Sequence, residues 1–289
     1  MMSWKGGLFE PQGPVALAQR TMLTNATVVM LAVVIPVIIL TFAFAWWFRA
    51  GNPKAKRMPD WEYSGAIEVT VWAIPILIII FLGGMTWVGS HELDPKKPLV
   101  SQQKAINVQV VSLDWKWLFI YPDYGIATLN NLEVPAQTPI QFTLTSSGVM
   151  NSFFVPQLGS QIYTMSGMAT RLQLLASQEG TFPGISAQFS GDGFSDMRFN
   201  VNAVSSDAFK AWVKKTRKEP ATLDMTSYTR LVSPSLEAQT LSYGKVTDGL
   251  FLKILTRNGM DTMEMDPIAQ QYICSQTKSN SIAQIQSFK

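Results

Sequence analysis

Val69-Thr70-Val71-Trp72-Ala73-Ile74-Pro75-Ile76-Leu77-Ile78-Ile79-Ile80-Phe81-Leu82-Gly83-Gly84-Met85-Thr86-Trp87-Val88-Gly89-Ser90 is a run of twenty-two residues without a formal charge. At about 1.5 Å per residue, a helix of that length reaches roughly 33 Å, enough to cross the hydrocarbon core of a bilayer. A core helix of a soluble protein seldom runs so far without one polar face, so the stretch reads as membrane-spanning. Glu68 stands just before it, and Trp72 and Pro75 follow at i+4 and i+7, on one helical face. A carboxylate at the rim of a span is either anchored in the headgroup region or functional.

Upstream, Thr21 to Phe48 is a second uncharged stretch, closed by the interfacial aromatics Trp46, Trp47 and Phe48 and then Arg49. Pro36 falls inside it, where membrane helices tolerate a kink. The connection 49–64 carries Arg49, Lys54, Lys56 and Arg57 against Asp60 and Glu62, whereas the N-terminal segment offers only Lys5 and Arg20. Short loops rich in Lys and Arg stay cytoplasmic. The expectation is an α-hairpin over 24–90 with its loop inside, and an external segment over 1–23. No charged n-region, short apolar core and small-residue cleavage site follow one another in 1–23, so no ordinary signal peptide is expected there.

After a linker from His91 to Lys104 the apolar period falls to two. Ile106, Val108 and Val110 alternate with polar residues, as do Ile140, Phe142 and Leu144, then Leu172 and Leu174, then Phe199, Val201 and Ala203. Turns stand at Pro122–Gly125, Ser146–Gly148 and Gly191–Gly193. Short strands at this spacing predict an all-β antiparallel sandwich or barrel over 100–205. A helical arm follows over 206–289, beginning with an amphipathic helix near Ser206–Lys218 capped by Ser206. Weaker helices are expected around Thr226–Leu231 and Thr247–Leu255, and a polar tail from Ser275.

Composition removes whole classes of function. The net charge is +3 and there is no basic run, so nucleic acid is not an expected partner. One cysteine, Cys274, and one histidine, His91, exclude an internal disulfide, zinc frameworks and most His-built metal sites. Paired carboxylates at useful spacing, Ser/His/Asp sets and phosphate loops are absent, so no catalytic constellation is expected in this chain. Between Val100 and Arg217 there are seven acidic residues against eight basic ones. A surface built to dock basic cytochrome c should show an acidic excess, so a lipid-soluble electron donor fits better.

Glu68…Trp72…Pro75, Trp115-Lys116-Trp117, the segment Asn151-Ser152-Phe153-Phe154-Val155-Pro156-Gln157-Leu158-Gly159 and the loop Phe189–Asn200 occur in an order that resembles subunit II of the haem–copper terminal oxidases. The resemblance covers roughly residues 8–218. In the cytochrome c oxidases of that family a cupredoxin-like Greek-key domain holds a dinuclear copper centre. Its ligands come from a loop Cys-x-Glu-x-Cys-x-x-x-His-x-x-Met and from a His upstream of a Pro-x-x-Gly turn. The matching positions here are Phe189, Gly191, Gly193, Met197 and Asn200, with Asn151 at the upstream His. Copper for electron transfer needs thiolates and imidazoles, and one thioether among phenyls and glycines cannot hold it. The chain therefore resembles the copper-free quinol branch, of the cytochrome bo type.

What the resemblance implies is a subunit without metal of its own, in a complex that oxidises ubiquinol, reduces oxygen and pumps protons. The haems and a single copper would lie in a large partner subunit I, with further small membrane subunits beside it and no cytochrome c as donor. Trp115 and Trp117, which share a strand face at i and i+2, match positions through which copper-bearing relatives pass electrons. Here they are expected to be vestigial and to pack. Glu68 matches a glutamate at which a proton path enters the large subunit from the cytoplasm. The expected location is the bacterial inner membrane, with the C-terminal domain periplasmic. The alternative is a membrane-anchored interaction or assembly protein that kept the fold and lost the enzyme complex.

Overall fold

The computed structural model describes residues 7–56, 58 and 60–256; the expectations for Lys5, Arg57, Cys274 and the polar tail lie outside the described residues. Residues 18–94 form one compact unit, and the chain on either side of them forms another.

The first unit is a helical hairpin. Its helices, α1 (Pro14–Trp47) and α2 (Gly65–Glu92), are long and apolar enough to cross a membrane. Both outrun the spans read from the sequence, and α1 starts seven residues before Thr21. The reason is Pro14, whose fixed φ suits the first position of a helix. The segment 1–23 is thus helical from Pro14 onward. Thr24, Thr27, Thr41, Thr70 and Thr86 each donate their hydroxyl to the carbonyl four residues back, at 2.7–2.9 Å. Those hydroxyls are satisfied within their own helix, as an apolar surrounding demands. At the loop end the Asn52 amide donates to the Trp47 carbonyl at 2.6 Å, and the Arg49 guanidinium lies over the Trp46 ring.

The second unit is a β-sandwich. Its strands are β1 (Ile106–Leu113), β2 (Lys116–Tyr121), β3 (Ile126–Leu129), β4 (Asn131–Pro135), β5 (Ile140–Ser146), β6 (Asn151–Phe154), β7 (Ile162–Thr164), β8 (Thr170–Leu174), β9 (Gly180–Ser186) and β10 (Arg198–Val204). The arm adds α3 (Ser206–Thr216), β11 (Thr222–Leu223), α4 (Met225–Val232), β12 (Leu241–Tyr243), β13 (Lys245–Val246) and α5 (Leu250–Thr256). One sheet has the order β12-β3-β2-β1-β5-β8, the other β4-β10-β9-β6-β7. Most neighbours are antiparallel, but β1 runs parallel to β5 and β4 to β10. Parallel partners need a crossover instead of a hairpin, which short-range alternation does not reveal.

The sequence reading saw one buried face per strand, yet β1 and β2 are buried on both. Trp117, Phe119 and Tyr121 face the inter-sheet core, where the rings of Phe142, Phe153 and Phe199 meet them. Leu118 and Ile120 face the other way, with Val111 and Leu113, into a second core made by Tyr228, Leu250, Phe251 and Ile254 of the arm. The arm is therefore more than helical, since β12 extends the first sheet beside β3. α3 is capped by Ser205, which accepts from the Ala208 N–H, one residue before the expected Ser206. α4 is capped by Asp224, and the Ser227 N–H bond holds that carboxyl below the usual aspartate range.

The N-terminal strand of chain before α1 also docks on the sandwich. The Gln12 N–H donates to the Gln157 carbonyl at 2.7 Å, and the Ser177 N–H donates to the Gln12 carbonyl at 2.8 Å. Gly13 is forced by close approach, because a Cβ there would stand 2.4 Å from the Leu175 carbonyl oxygen.

Lys116 ties the arm to the sheet. Its Nζ, on a side chain buried at the start of β2, donates to the Ser233 carbonyl at 2.8 Å and to Ser235 Oγ at 2.6 Å. Ser233 is the C-cap of α4, so the ammonium sits at the negative end of that helix. Burial pushes the lysine below its ordinary pKa, with the Asp114 charge opposing the shift. Lys116→Ala is expected to destabilise the chain by about 2–4 kcal/mol, through a cavity and a stranded carbonyl. Lys116→Met, which keeps the aliphatic stem and removes a buried charge, should cost less than half of that. Thermal unfolding of the detergent-solubilised subunit checks the ranking, and equal losses would contradict it.

Candidate functional site

β1 and β2 turn over in two residues, Asp114 and Trp115, with Leu113 paired to Lys116. Hairpin turns this tight use positive φ, and Trp115 takes it at φ 64°. That is rare for a bulky side chain and persists only where contacts fix it. Trp115 lies in the turn and not on β2, and it packs against the same inter-sheet core that Trp117 enters. Trp117 enters the core, fully buried, while Trp115 swings over the glycine-rich loop between β9 and β10.

The contacts that fix Trp115 are those of the loop. A Cβ built on Gly193 would stand 2.4 Å from Trp115 Cδ2, and one on Gly191 3.1 Å from Cζ2. The indole Nε1–H donates to the Ser190 carbonyl at 3.3 Å. Gly191 itself has φ 116°, a conformation that side chains rarely adopt. The indole thus fills the space into which side chains at 191 and 193 would project. Sequence signals for this arrangement existed, in two glycines at i and i+2 and an aromatic at a hairpin tip, but not the pairing that joins them.

The remaining positions divide. Asn151 and Met197 are both buried and are joined through Ser186, which the sequence reading missed. The Ser186 N–H donates to the Met197 carbonyl at 3.1 Å, and its hydroxyl donates to Asn151 Oδ1 at 3.2 Å. The Asn151 amide donates to the Val149 carbonyl at 3.3 Å, so both ends of that side chain are engaged. Phe189 is 73% exposed and meets only the Phe194 ring among the aromatics of the described residues. Asn200 is exposed on β10 and stands apart from the buried group. Trp117 Nε1 and Ser190 Oγ are buried without a hydrogen-bond partner among the described residues. Trp117 compensates in part through T-shaped contacts with Phe153 and Phe199, at 5.3 and 5.7 Å.

Chemically the site is a packed plug. A dinuclear copper centre needs thiolate and imidazole donors converging on an open pocket. Here one buried thioether, one engaged amide, two glycines and a covering indole stand instead, and they do not fit such a centre. Among the described residues no three His, Cys, Asp or Glu side chains come together.

In the helical unit Glu68 lies in the first turn of α2, exposed, with Trp72 and Pro75 exposed on the same face. The N-terminal end of a helix favours a carboxylate. His91, in the last turn, places Nδ1 2.8 Å from the Trp87 carbonyl and packs its ring on Trp87 at 4.6 Å.

Residues 126–204 match the family model of the cytochrome c oxidase subunit II periplasmic domain. A cytochrome bo(3) ubiquinol oxidase subunit 2 of Pseudomonas aeruginosa is 52% identical over 250 residues, covering 86% of this chain and 76% of the relative. A ubiquinol oxidase subunit 2 of Acetobacter aceti is 49% identical, covering 88% and 83%. A quinol oxidase subunit 2 of Bacillus cereus is 34% identical, covering 80% of each. Among solved structures, the periplasmic domain of subunit II of cytochrome oxidase from Bradyrhizobium japonicum aligns with a TM-score of 0.38 and 20% identity, over 45% of this chain and 98% of that one.

Gly193→Ala is expected to lift Trp115 off the loop, at a cost of about 1–3 kcal/mol from overpacking. Gly148→Ala is the control, since its Cβ would meet nothing nearer than Asp114 Oδ1 at 3.9 Å. Denaturant unfolding with tryptophan emission, compared with Trp115→Phe, reports both. A Gly193→Ala chain as stable as the control would rule out the plug.

Proposed function

Because this chain belongs to the subunit 2 family of the ubiquinol oxidases, we propose that it serves, in a quinol-oxidising, oxygen-reducing proton pump, as the subunit that braces the haem-bearing partner. The observation that carries this reading is the plugged loop end of the sandwich, with Trp115 where a copper ligand would project. A chain of this family without such ligands relays no electrons from cytochrome c, and quinol delivers them to the complex from within the membrane. The haems and the single copper belong to the large subunit I, beside which further small membrane subunits assemble. The hairpin lies in the bacterial inner membrane with loop 49–64 in the cytoplasm and the sandwich in the periplasm, as the Lys/Arg content of that loop supports.

The test is purification of the intact complex followed by metal analysis and paramagnetic resonance. Expected are haem, quinol-dependent oxygen uptake and no mixed-valence copper signal from this chain. Such a signal, or oxidation of cytochrome c in place of quinol, would overturn the reading.

Glu68 is the one residue of this chain assigned a place in turnover. It stands at the cytoplasmic end of α2 in the proposed orientation, the side from which a pump takes protons, on one face with Trp72 and Pro75. A carboxylate there can collect a proton and hand it inward through water, once a partner surface covers it. Glu68→Ala and Glu68→Gln are expected to slow oxygen uptake by roughly tenfold, about 1.4 kcal/mol on the barrier, with haem content and assembly intact. Glu68→Asp should keep most of the rate. Parent-like turnover of a fully assembled Glu68→Ala complex between pH 6 and 9 (a range set by the assay) would remove Glu68 from the path.

A further inference from the structure

Half of the eight basic residues between Val100 and Arg217 belong to α3 and its C-cap, as Lys210, Lys214, Lys215 and Arg217, and Lys218 follows at once. Phe209, Val213 and Thr216 are buried and Trp212 is half-buried, so one side of α3 is spent on the sandwich. Residues four apart share a helical face. Lys210 and Lys214 therefore form an outward row, which Lys218 continues in the turn after the helix, with Lys215 beside it. All four are exposed. Acidic residues stand only at the edges of this row. Asp207 meets Lys210 at 3.1 Å, Glu219 follows Lys218, and Asp123 stands next to Tyr124, on which Arg217 Nε closes at 3.0 Å. Between Ala208 and Lys218 the sequence holds no acid.

The place of α3 in the fold says what such a row meets. The Ser177 N–H donates to the Gln12 carbonyl at 2.8 Å, the Gln137 N–H to the Ala176 carbonyl at 2.7 Å, and the Ala136 N–H to the Val204 carbonyl at 2.8 Å, one residue before the Ser205 cap of α3. This relay puts the start of α3 at the end of the sandwich where the segment before α1 is bonded. The linker from α2 arrives at the same end, since Thr138 Oγ1 donates to Gln103 and the Ile106 N–H to the Pro139 carbonyl. Both connections to the hairpin thus join the sandwich at the α3 end. The first of them is short. The Ala16 N–H donates to the Leu158 carbonyl, and Thr21, where the uncharged stretch begins, is five residues further on, about 7.5 Å of helix. Chain length alone keeps this end of the sandwich near the headgroup layer.

We propose that the lysine row of α3 binds anionic phospholipid headgroups at the membrane surface. The apolar side of the helix is already buried in the sandwich, so the contact is electrostatic and nothing inserts. Each lysine brought to an anionic surface contributes roughly fivefold in affinity, within about one Debye length of it. An acidic protein would need a matching surface posed against one short helix, whereas a headgroup layer needs only the charge and the tether. That is why lipid is the partner chosen. The site rests on the hairpin spanning a membrane, and not on the quinol oxidase reading.

The test is amine labelling of the intact complex, read lysine by lysine by mass spectrometry, in nanodiscs of phosphatidylcholine and of phosphatidylglycerol. In phosphatidylglycerol at low salt, Lys214 and Lys218 are expected to react about fivefold more slowly, and high salt should abolish the difference. Lys253, exposed on α5, is the control and should react alike in both. Replacing Lys214→Gln and Lys218→Gln together keeps good helix formers at exposed positions and should remove the protection of Lys210 and Lys215, at unchanged subunit content. Equal rates in the two kinds of disc would overturn the proposal. So would equal protection in both, the mark of a protein covering α3, or protection of Lys210 and Lys215 that survives in the double variant. Failure of the hairpin to span the membrane would show separately, as extraction of the chain by alkaline wash.

Discussion

Strand β2 is buried on both faces, and most of the β-sandwich unit follows from that constraint. A strand between two cores cannot slip by one residue without exchanging its partners, because the side-chain period is two. Trp117, Phe119 and Tyr121 belong to the inter-sheet core, and Leu118 and Ile120 to the core shared with the arm. The register is held at one end by the Lys116 ammonium on Ser233 and at the other by Tyr121, whose hydroxyl donates to the Glu133 carbonyl and accepts from the Glu133 N–H, each at 2.9 Å. Burial raises the Tyr121 pKa far above the ordinary phenol range, so this bond persists across any physiological pH. With β2 fixed, the turn before it can hold Trp115 in a conformation that an isolated hairpin would abandon.

The plug over the loop end is a consequence of that fixed turn. An aromatic at positive φ costs on the order of 1–3 kcal/mol, and the contacts around it have to outweigh that. They do so because Gly191 and Gly193 leave a flat surface for the ring and because Ser190 accepts its N–H. Side chains at 191 and 193 of the size of a cysteine or a glutamate would push the indole away. The bare positions at 191 and 193 and the seated indole are thus one arrangement of packing. The interior beneath stays closed through Asn151, Ser186 and Met197, which engage one another's backbone and side-chain groups.

Much of this was legible in the sequence, for identifiable reasons. Uncharged runs longer than a bilayer is thick need no tertiary information, and neither does alternation around Ile140–Leu144 or Phe199–Ala203. What was hidden depends on pairing. Trp115 and Trp117 sit two apart and both meet the inter-sheet core, but only the turn at Asp114-Trp115 lays the first of them over the glycine loop. Ser186 carries no motif, and its role comes from lying between β6 and β10. The second core was hidden because β1 shows the same alternation whether its other face meets water or the arm. The start of α1 was hidden because Pro14 reads equally as a break and as a first helical residue.

The helical unit obeys a different constraint, since an apolar medium offers no competing hydrogen bonds. Thr24, Thr27 and Thr41 on α1, and Thr70 and Thr86 on α2, resolve this locally by bonding to the carbonyl one turn back. A carboxylate in the first turn is different again, since the helix end stabilises its charge without any partner. Glu68 and Asn25 therefore ask different things of their surroundings. The carboxylate is tolerated where it stands because the start of α2 favours its charge, whereas Asn25 stands inside α1, exposed and away from either helix end.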